Sequence, residues 1–141
     1  MIYKTSREIE TLTDRLLDRS LPKPEWTHAA HLAAGFCLLH RYDLEKVICD
    51  MPKVIRSYNE ATGTPNTDDE GYHHTLTLFY LYDIKKYITT LTKEHDFVEA
   101  CHRLINGEIG LKEYPFKFYS KKLLFSLEAR HGWVESDLQW T

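Results

Sequence analysis

Hydrophobic residues recur every three or four positions along this chain, which is the spacing of amphipathic helices. No stretch alternates cleanly between apolar and polar residues as a half-buried strand would. The first helix is predicted to end near Ser20 and to begin at Thr5, which forms a capping box with Glu8. Pro22 and Pro24 then require an extended link. The whole pattern predicts an all-α fold, an irregular bundle of five to six helices.

Two further helices are predicted from their capping residues. Thr27 can cap a helix that carries small and apolar residues up to about His40. Asp43 can cap the next one, which Gly63 ends. Pro52 lies inside that third helix, where it lacks an N–H donor and its ring meets the carbonyl four residues earlier. We therefore expect a kink or a break at Pro52.

The segment from about residue 72 to residue 91 is apolar almost all round. A helix of this kind is typical of the centre of a bundle. A second capping box, formed by Thr67 and Glu70, precedes it. The sequence therefore predicts that residues 72–91 form a buried central helix.

Two shorter helices are predicted in the C-terminal third. Asp96 can cap the first, and Asn106 with Gly107 gives it a left-handed stop. Ser120 can cap the second, which is expected to span residues 121–130.

The last nine residues are predicted to be a tail that Trp133 and Trp140 pack against the bundle. No repeat, low-complexity segment or convincing domain boundary occurs in the sequence. Residues 1–141 are therefore expected to form a single helical domain, long enough for a core of its own.

Composition and charge narrow the classes of partner. The formal net charge is −3 and no basic run is present, so we expect no nucleic-acid partner. The longest apolar run, residues 76–82, is far shorter than the roughly 20 residues that a membrane span needs, so we expect no membrane partner. Cys37, Cys49 and Cys101 are well separated in helical patterns, which favours reduced thiols and a cytoplasmic location.

Candidate chemistry begins with a pair of histidines on the second helix. His28 and His31 differ by about 300° around a helix of 3.6 residues per turn, so they share a face. Gly35 lies on the same stripe, where a missing side chain is expected to leave open space. Both histidines lie near a helix start, whose amide dipoles disfavour an imidazolium and keep the lone pair available.

A second polar stripe lies on the central helix. His73, Thr77 and Tyr80 fall within about 60° of one another on a segment that is otherwise apolar. His74 points about 100° away from His73, so it ranks below it as a site residue.

If the two stripes face each other, His28, His31 and His73 converge. Three neutral imidazoles with an open fourth position can form a catalytic zinc site, and imidazole also suits other divalent transition metals. A metal-free polar pocket with histidine bases is one alternative, and purely structural histidines are the other. Tyr80 is then a candidate proton donor. Arg130 is a candidate for binding an anionic substrate, although the sequence is equally consistent with an ion pair between Arg130 and an acidic side chain.

Three motifs together resemble those of a family of small, largely uncharacterised bacterial proteins. They are the segments 26–32 (WTHAAHL), 71–77 (GYHHTLT) and 119–130 (YSKKLLFSLEAR), which occur in the family's order. The resemblance implies no particular reaction. It implies that a set of residues belongs together, namely His28, His31, His73, Thr75, Thr77, Tyr119, Ser126 and Arg130. The chain departs from the family at His74, where the motif has Glu, and at residues 135–137, where it has Pro-Asp.

The leading functional hypothesis is a small cytoplasmic enzyme with a histidine-lined pocket for a small molecule. Zinc or another divalent transition metal is its candidate cofactor, and metal-assisted hydrolysis or group transfer its candidate reaction. The residues assigned to the site are His28, His31, His73, Tyr80 and Arg130, with the three histidines as the metal ligands. The alternatives are a non-catalytic module that binds a small anion and a homodimeric interaction protein with structural histidines.

Overall fold

Every regular element that the structure describes is helical. The computed structural model describes residues 2–138 of the chain. Its α-helices are α1 (Ser6–Leu17), α2 (His28–Arg41), α3 (Leu44–Ala61), α4 (His74–Thr89), α5 (Phe97–Asn106), α6 (Lys121–Leu124) and α7 (Leu127–His131). Short 3₁₀ helices occur at Lys23–Glu25, Glu108–Gly110 and Tyr114–Lys117. The all-α bundle is confirmed, and within residues 2–138 no helix is long and apolar enough to cross a membrane.

The capping residues begin the helices as expected. Thr5, Thr27, Asp43 and Asp96 each accept the backbone N–H three residues later, and α1, α2, α3 and α5 begin immediately after them. Each cap satisfies an amide that has no partner inside its helix. The chain's local chemistry therefore sets where these four helices start.

The break expected at Pro52 does not occur, because α3 runs without interruption over Leu44–Ala61. Met51 and Ile55 are buried on either side of it, together with Val47 and Tyr58. A single apolar face thus continues past the proline. Its packing against the core outweighs the hydrogen bond that the proline cannot donate.

Gly107 does not form the left-handed stop expected after α5. Its φ angle is −89°, and its N–H is bonded to the carbonyl of Leu104. A Cβ added at this position would lie 2.9 Å from the carbonyl oxygen of Arg103. The glycine is therefore required for a close backbone approach rather than for a positive φ.

The helix predicted over residues 121–130 is two helices, α6 and α7. Ser126 separates them because its hydroxyl donates to the carbonyl of Leu123 at 2.6 Å and accepts the N–H of Ala129 at 3.2 Å. One side chain thus satisfies the end of α6 and the start of α7.

The central helix α4 begins two residues later than predicted. Its N-cap is His73, whereas Thr67 and Glu70 close a separate turn through their own backbone and hydroxyl groups. α4 contacts α2, α3 and α7. Its buried residues are Thr75, Leu78, Phe79, Leu81 and Ile84.

α4 joins two apolar clusters. Leu81 and Ile84 belong to the main core with α1, α2, α3 and α5, whereas Phe79 belongs to a smaller cluster with Tyr119 and Leu124. The main core also buries Cys37 and Cys101, while Cys49 is exposed, and all three cysteines are free thiols.

The C-terminal tail is tied to the start of α4. The Thr75 hydroxyl donates to the carbonyl of Gly132 at 2.7 Å and accepts the N–H of Val134 at 3.2 Å. Trp133 packs edge-on against Tyr82 with the ring centroids 5.6 Å apart, as expected of a packed tail. Trp140, the other residue expected to pack the tail, lies outside the described residues.

Candidate functional site

A cavity of about 690 Å³ lies between α2, α3, α4 and the segment that leads into α6. Its walls are mainly apolar and aromatic, formed by Trp26, Leu32, Met51, Ile55, Tyr58, Tyr72, Leu76, Leu81, Ile84, Pro115, Phe116, Leu124 and Phe125. A volume of about 300–1,000 Å³ with few polar groups is typical of a small-molecule site. His28, His31, His73 and Tyr80 all line this cavity, so the two predicted stripes do face one space.

His28 lies beside the cavity with unsatisfied hydrogen-bonding capacity. Its Nε2 atom is buried and has no hydrogen-bond partner among the described residues. Burial lowers the pKa of the ring, the carbonyl of Gly110 opposes this shift, and the nearby Lys112 ammonium adds to it. The ring is therefore neutral at pH 7. A buried polar atom without a partner costs about 1–3 kcal/mol, so it needs an explanation such as a ligand.

His31 presents the lone pair of one nitrogen to its surroundings. Its Nδ1 lies 2.6 Å from the carbonyl oxygen of Thr27, which can only accept, so Nδ1 carries the proton. The ring stacks on Trp26 with centroids 3.7 Å apart. It is accessible because it lines the cavity, yet the protein around it disfavours the imidazolium and lowers its pKa to about 4. Its Nε2 is therefore a neutral hydrogen-bond acceptor.

Tyr80 places a phenol next to His28. The two rings meet edge to face with centroids 5.8 Å apart. Burial, with a further contribution from the charge of Asp83, raises the pKa of Tyr80 to about 12. The phenol is thus protonated at pH 7 and can donate a hydrogen bond. Its predicted role as a proton donor is compatible with this position and stays a prediction.

His73 is a cap rather than a free ligand. Its Nδ1 accepts the backbone N–H of Leu76 at 3.1 Å, and its Nε2 donates to the carbonyl of Leu124 at 2.7 Å. Both nitrogens are engaged, so the ring has no lone pair left for a metal. Thr77 uses its hydroxyl to bind the His73 carbonyl. The polar side chains at the start of the stripe predicted on α4 therefore mainly form hydrogen bonds within the first turn of that helix.

The three histidines predicted as metal ligands differ in the lone pairs that they keep free. Within residues 2–138 no group of three or more histidine, cysteine or acidic side chains is placed to hold a metal ion. His28 and His31 keep free lone-pair capacity, but His73 does not. The sequence places His73 on the correct face, and it could not show that a backbone amide and a carbonyl occupy its two nitrogens.

Arg130 does not line this cavity. Its Nη1 lies 3.4 Å from the carbonyl oxygens of Gly71 and Tyr72. The guanidinium instead holds the loop before α4. This contact crosses 59 positions of sequence, which periodicity alone does not reveal.

The cationic groups of the cavity are Lys23 and Lys112, which the sequence analysis did not single out. Both line it, and no aspartate or glutamate does. Lys112 is close enough to His28 to lower the pKa of that ring. The sequence offered only a weak signal for either lysine, because both are isolated and exposed, Lys23 at the start of a short 3₁₀ helix and Lys112 in a turn.

Gly35 leaves less room than expected. A Cβ added there would lie 3.2 Å from Cδ1 of Ile84 and 3.8 Å from Cδ2 of Leu81. The space that the missing side chain provides is thus used by helix α4 packing closely on α2. His74 is also engaged in a hydrogen bond, since its Nδ1 lies 2.8 Å from the hydroxyl of Tyr72.

Comparison with protein-family models, curated proteins and solved structures found no match to this chain. The resemblance to the bacterial family therefore stays a prediction. The geometry of the cavity carries the functional argument.

Proposed function

We propose that the cavity binds a small, largely apolar molecule with an anionic or hydroxyl-bearing end. The observation that carries this proposal is the composition of the walls. They are apolar over most of their area, their cations are Lys23 and Lys112, and they contain no carboxylate. An apolar cavity with a few polar groups favours a ligand that is itself apolar, with one polar end.

The polar groups of the cavity complement such an end. Tyr80 donates a hydrogen bond, His31 accepts one through Nε2, and Lys112 supplies positive charge beside His28. A carboxylate can accept from the phenol and the ammonium, while a hydroxyl can also donate to the imidazole. His28 and His31 are neutral at pH 7, so the preference for a negatively charged ligand comes from Lys23 and Lys112.

Three ligands with the same alkyl chain test the charge preference. Decanoate, decanol and decylamine, each titrated calorimetrically below the concentration at which it aggregates or separates from solution, differ in the charge of the head group. The expected affinity order is decanoate, then decanol, then decylamine. Lys112→Glu should weaken the binding of decanoate but change the affinity for decanol by no more than about twofold, because the lysine interacts with the charge of the head group. Lys122→Glu, at an exposed lysine outside the cavity, is the matched control.

A cavity-blocking variant tests the location. Leu76→Trp fills the cavity and should abolish binding of all three ligands, whereas Leu123→Trp, at a half-buried leucine outside the cavity, should not. Equal binding by the two variants, or tighter binding of decylamine than of decanoate, would refute the proposal.

An acid–base enzyme is the second candidate, and the adjacency of His28 and Tyr80 favours it. A neutral imidazole can take a proton while a phenol gives one, as hydrolysis or group transfer requires. Positioned acid–base groups contribute about 10²–10⁴-fold, so His28→Gln and Tyr80→Phe should each slow hydrolysis of p-nitrophenyl decanoate by at least about tenfold. His131→Gln controls for surface histidines. Zinc dependence of the same rate tests a metal held by His28 and His31.

A further inference from the structure

Two histidines outside the cavity meet between the end of α2 and the segment that precedes α5. His40 lies in the last turn of α2, and His95 immediately precedes the N-cap of α5. Their Nε2 atoms are 3.1 Å apart although 55 positions of sequence separate the residues. Neither lines the cavity, so this pair is independent of the proposed ligand site.

Backbone carbonyls fix the tautomer of both rings when they are neutral. Nδ1 of His40 lies 2.8 Å from the carbonyl oxygen of Phe36, and Nδ1 of His95 lies 2.7 Å from that of Thr92. A carbonyl oxygen can only accept, so each Nδ1 carries the proton and each neutral ring keeps a lone pair on Nε2. Two lone pairs therefore meet at 3.1 Å with no hydrogen of their own between them.

We propose that His40 and His95 form a surface site for one late first-row divalent ion, such as Zn²⁺, Ni²⁺ or Cu²⁺, with water completing its shell. Two nitrogens at about 2.0–2.1 Å from one Zn²⁺ are about 2.8–3.4 Å apart when the angle at the metal is about 90–110°. The observed 3.1 Å lies within that range. Imidazole is a preferred ligand of these ions.

The surroundings hold the rings ready for an ion. The His40 ring packs against Phe36 and Phe97, with centroids 4.4 Å and 5.0 Å away. Hydrogen bonds from Nδ1 to a carbonyl are the outer contacts that commonly orient ligating histidines. His40 also lies at the C-terminal end of α2, where unpaired carbonyls favour a cation. Burial lowers the pKa of His40, the carbonyl of Phe36 opposes this shift, and His95 and then Lys85 add to it, so the lone pair stays available at neutral pH.

Calorimetric titration of tag-free protein with Zn²⁺ at neutral pH tests the site. The wild-type protein should bind one equivalent of Zn²⁺, and this binding should require both His40 and His95. Loss of an outer contact alone costs about 10–100-fold in metal affinity, so His40→Gln and His95→Gln should each weaken binding by at least about tenfold. His131→Gln, at a histidine outside both the pair and the cavity, should leave the Zn²⁺ affinity within about twofold. Lys85→Gln should tighten binding, because it removes a positive charge that acts on His40.

Nuclear magnetic resonance of the wild-type protein gives a second reading that needs no variant. Substoichiometric Cu²⁺ should first broaden the amides next to His40 and His95. Absence of Zn²⁺ uptake would overturn the proposal and leave a shared proton as the partner of the two lone pairs. Uptake that His95→Gln does not weaken, or first broadening at His28 and His31, would overturn it as well.

Discussion

Replacing His73 with alanine should cost the protein about 2–4 kcal/mol of unfolding free energy. The first part is the N-cap of α4, in which Nδ1 accepts the N–H of Leu76 at 3.1 Å. Loss of a cap typically costs about 1 kcal/mol. The second part is the Leu124 carbonyl, which accepts from Nε2 at 2.7 Å. Leaving a buried acceptor unpaired costs about 1–3 kcal/mol.

A second substitution separates the two parts. His73→Asn keeps an oxygen able to cap α4, but the shorter side chain does not reach Leu124. It should therefore recover about 1 kcal/mol relative to alanine. Urea unfolding followed by circular dichroism measures both variants, and the slope with denaturant should stay unchanged because the fold does.

His131→Ala is the matched control. Its ring pairs with Asp68 at 2.8 Å, but both side chains are more than half exposed. Such a pair contributes about 0–1 kcal/mol. If His73→Ala were as stable as His131→Ala, the assignment of His73 as a buried cap would be wrong. If it kept its stability and lost zinc uptake instead, the metal-ligand interpretation of His73 would be right.

Three further predictions follow from other contacts. Folding lowers the pKa of His31 from 6.5 to about 4, so the unfolded chain takes up the proton at a higher pH than the folded protein does. The stability that the neutral ring provides is therefore present above pH 6.5 and is lost as the pH falls towards 4. Urea unfolding of His31→Gln should show a flatter dependence of the unfolding free energy on pH. Gly71→Ala should destabilise more than Gly63→Ala in urea unfolding, since both have positive φ but only the Gly71 Cβ would overlap the Pro65 carbonyl. Arg130→Met should lower the unfolding free energy yet leave decanoate affinity within about twofold by calorimetry, because the guanidinium holds a loop outside the cavity.

The parts of the fold that the sequence predicted depend on local chemistry. Thr27 and Asp43 begin helices because each satisfies an amide three residues away, and both residue types are strong caps. Gly63 ends α3 because its φ of +81° suits glycine. The error at Pro52 has the opposite origin. Local preference favours a break there, whereas distant packing partners keep the helix continuous through Pro52.

The candidate site was predicted in part for the same reason. Helical spacing correctly placed His28, His31 and Tyr80 around one space. The role of His73 depends on Leu124, which is 51 positions away, and that partner could not be identified from spacing. Lone lysines in irregular segments, such as Lys112, carry no pattern at all. Contacts between distant segments therefore decide which of the predicted residues is available for a ligand.

Four histidines of this chain differ in hydrogen-bonding capacity according to the partner of Nδ1. In His31, His40 and His95 that partner is a backbone carbonyl, so the proton stays on Nδ1 and the lone pair of Nε2 is left over. In His73 the partner is an N–H donor, so Nε2 must carry the proton and can only donate. The first arrangement suits acceptance of a ligand proton or a metal ion, and the second suits a permanent structural bond. A substitution that changed the partner of Nδ1, without touching the ring, should therefore change what that histidine can bind.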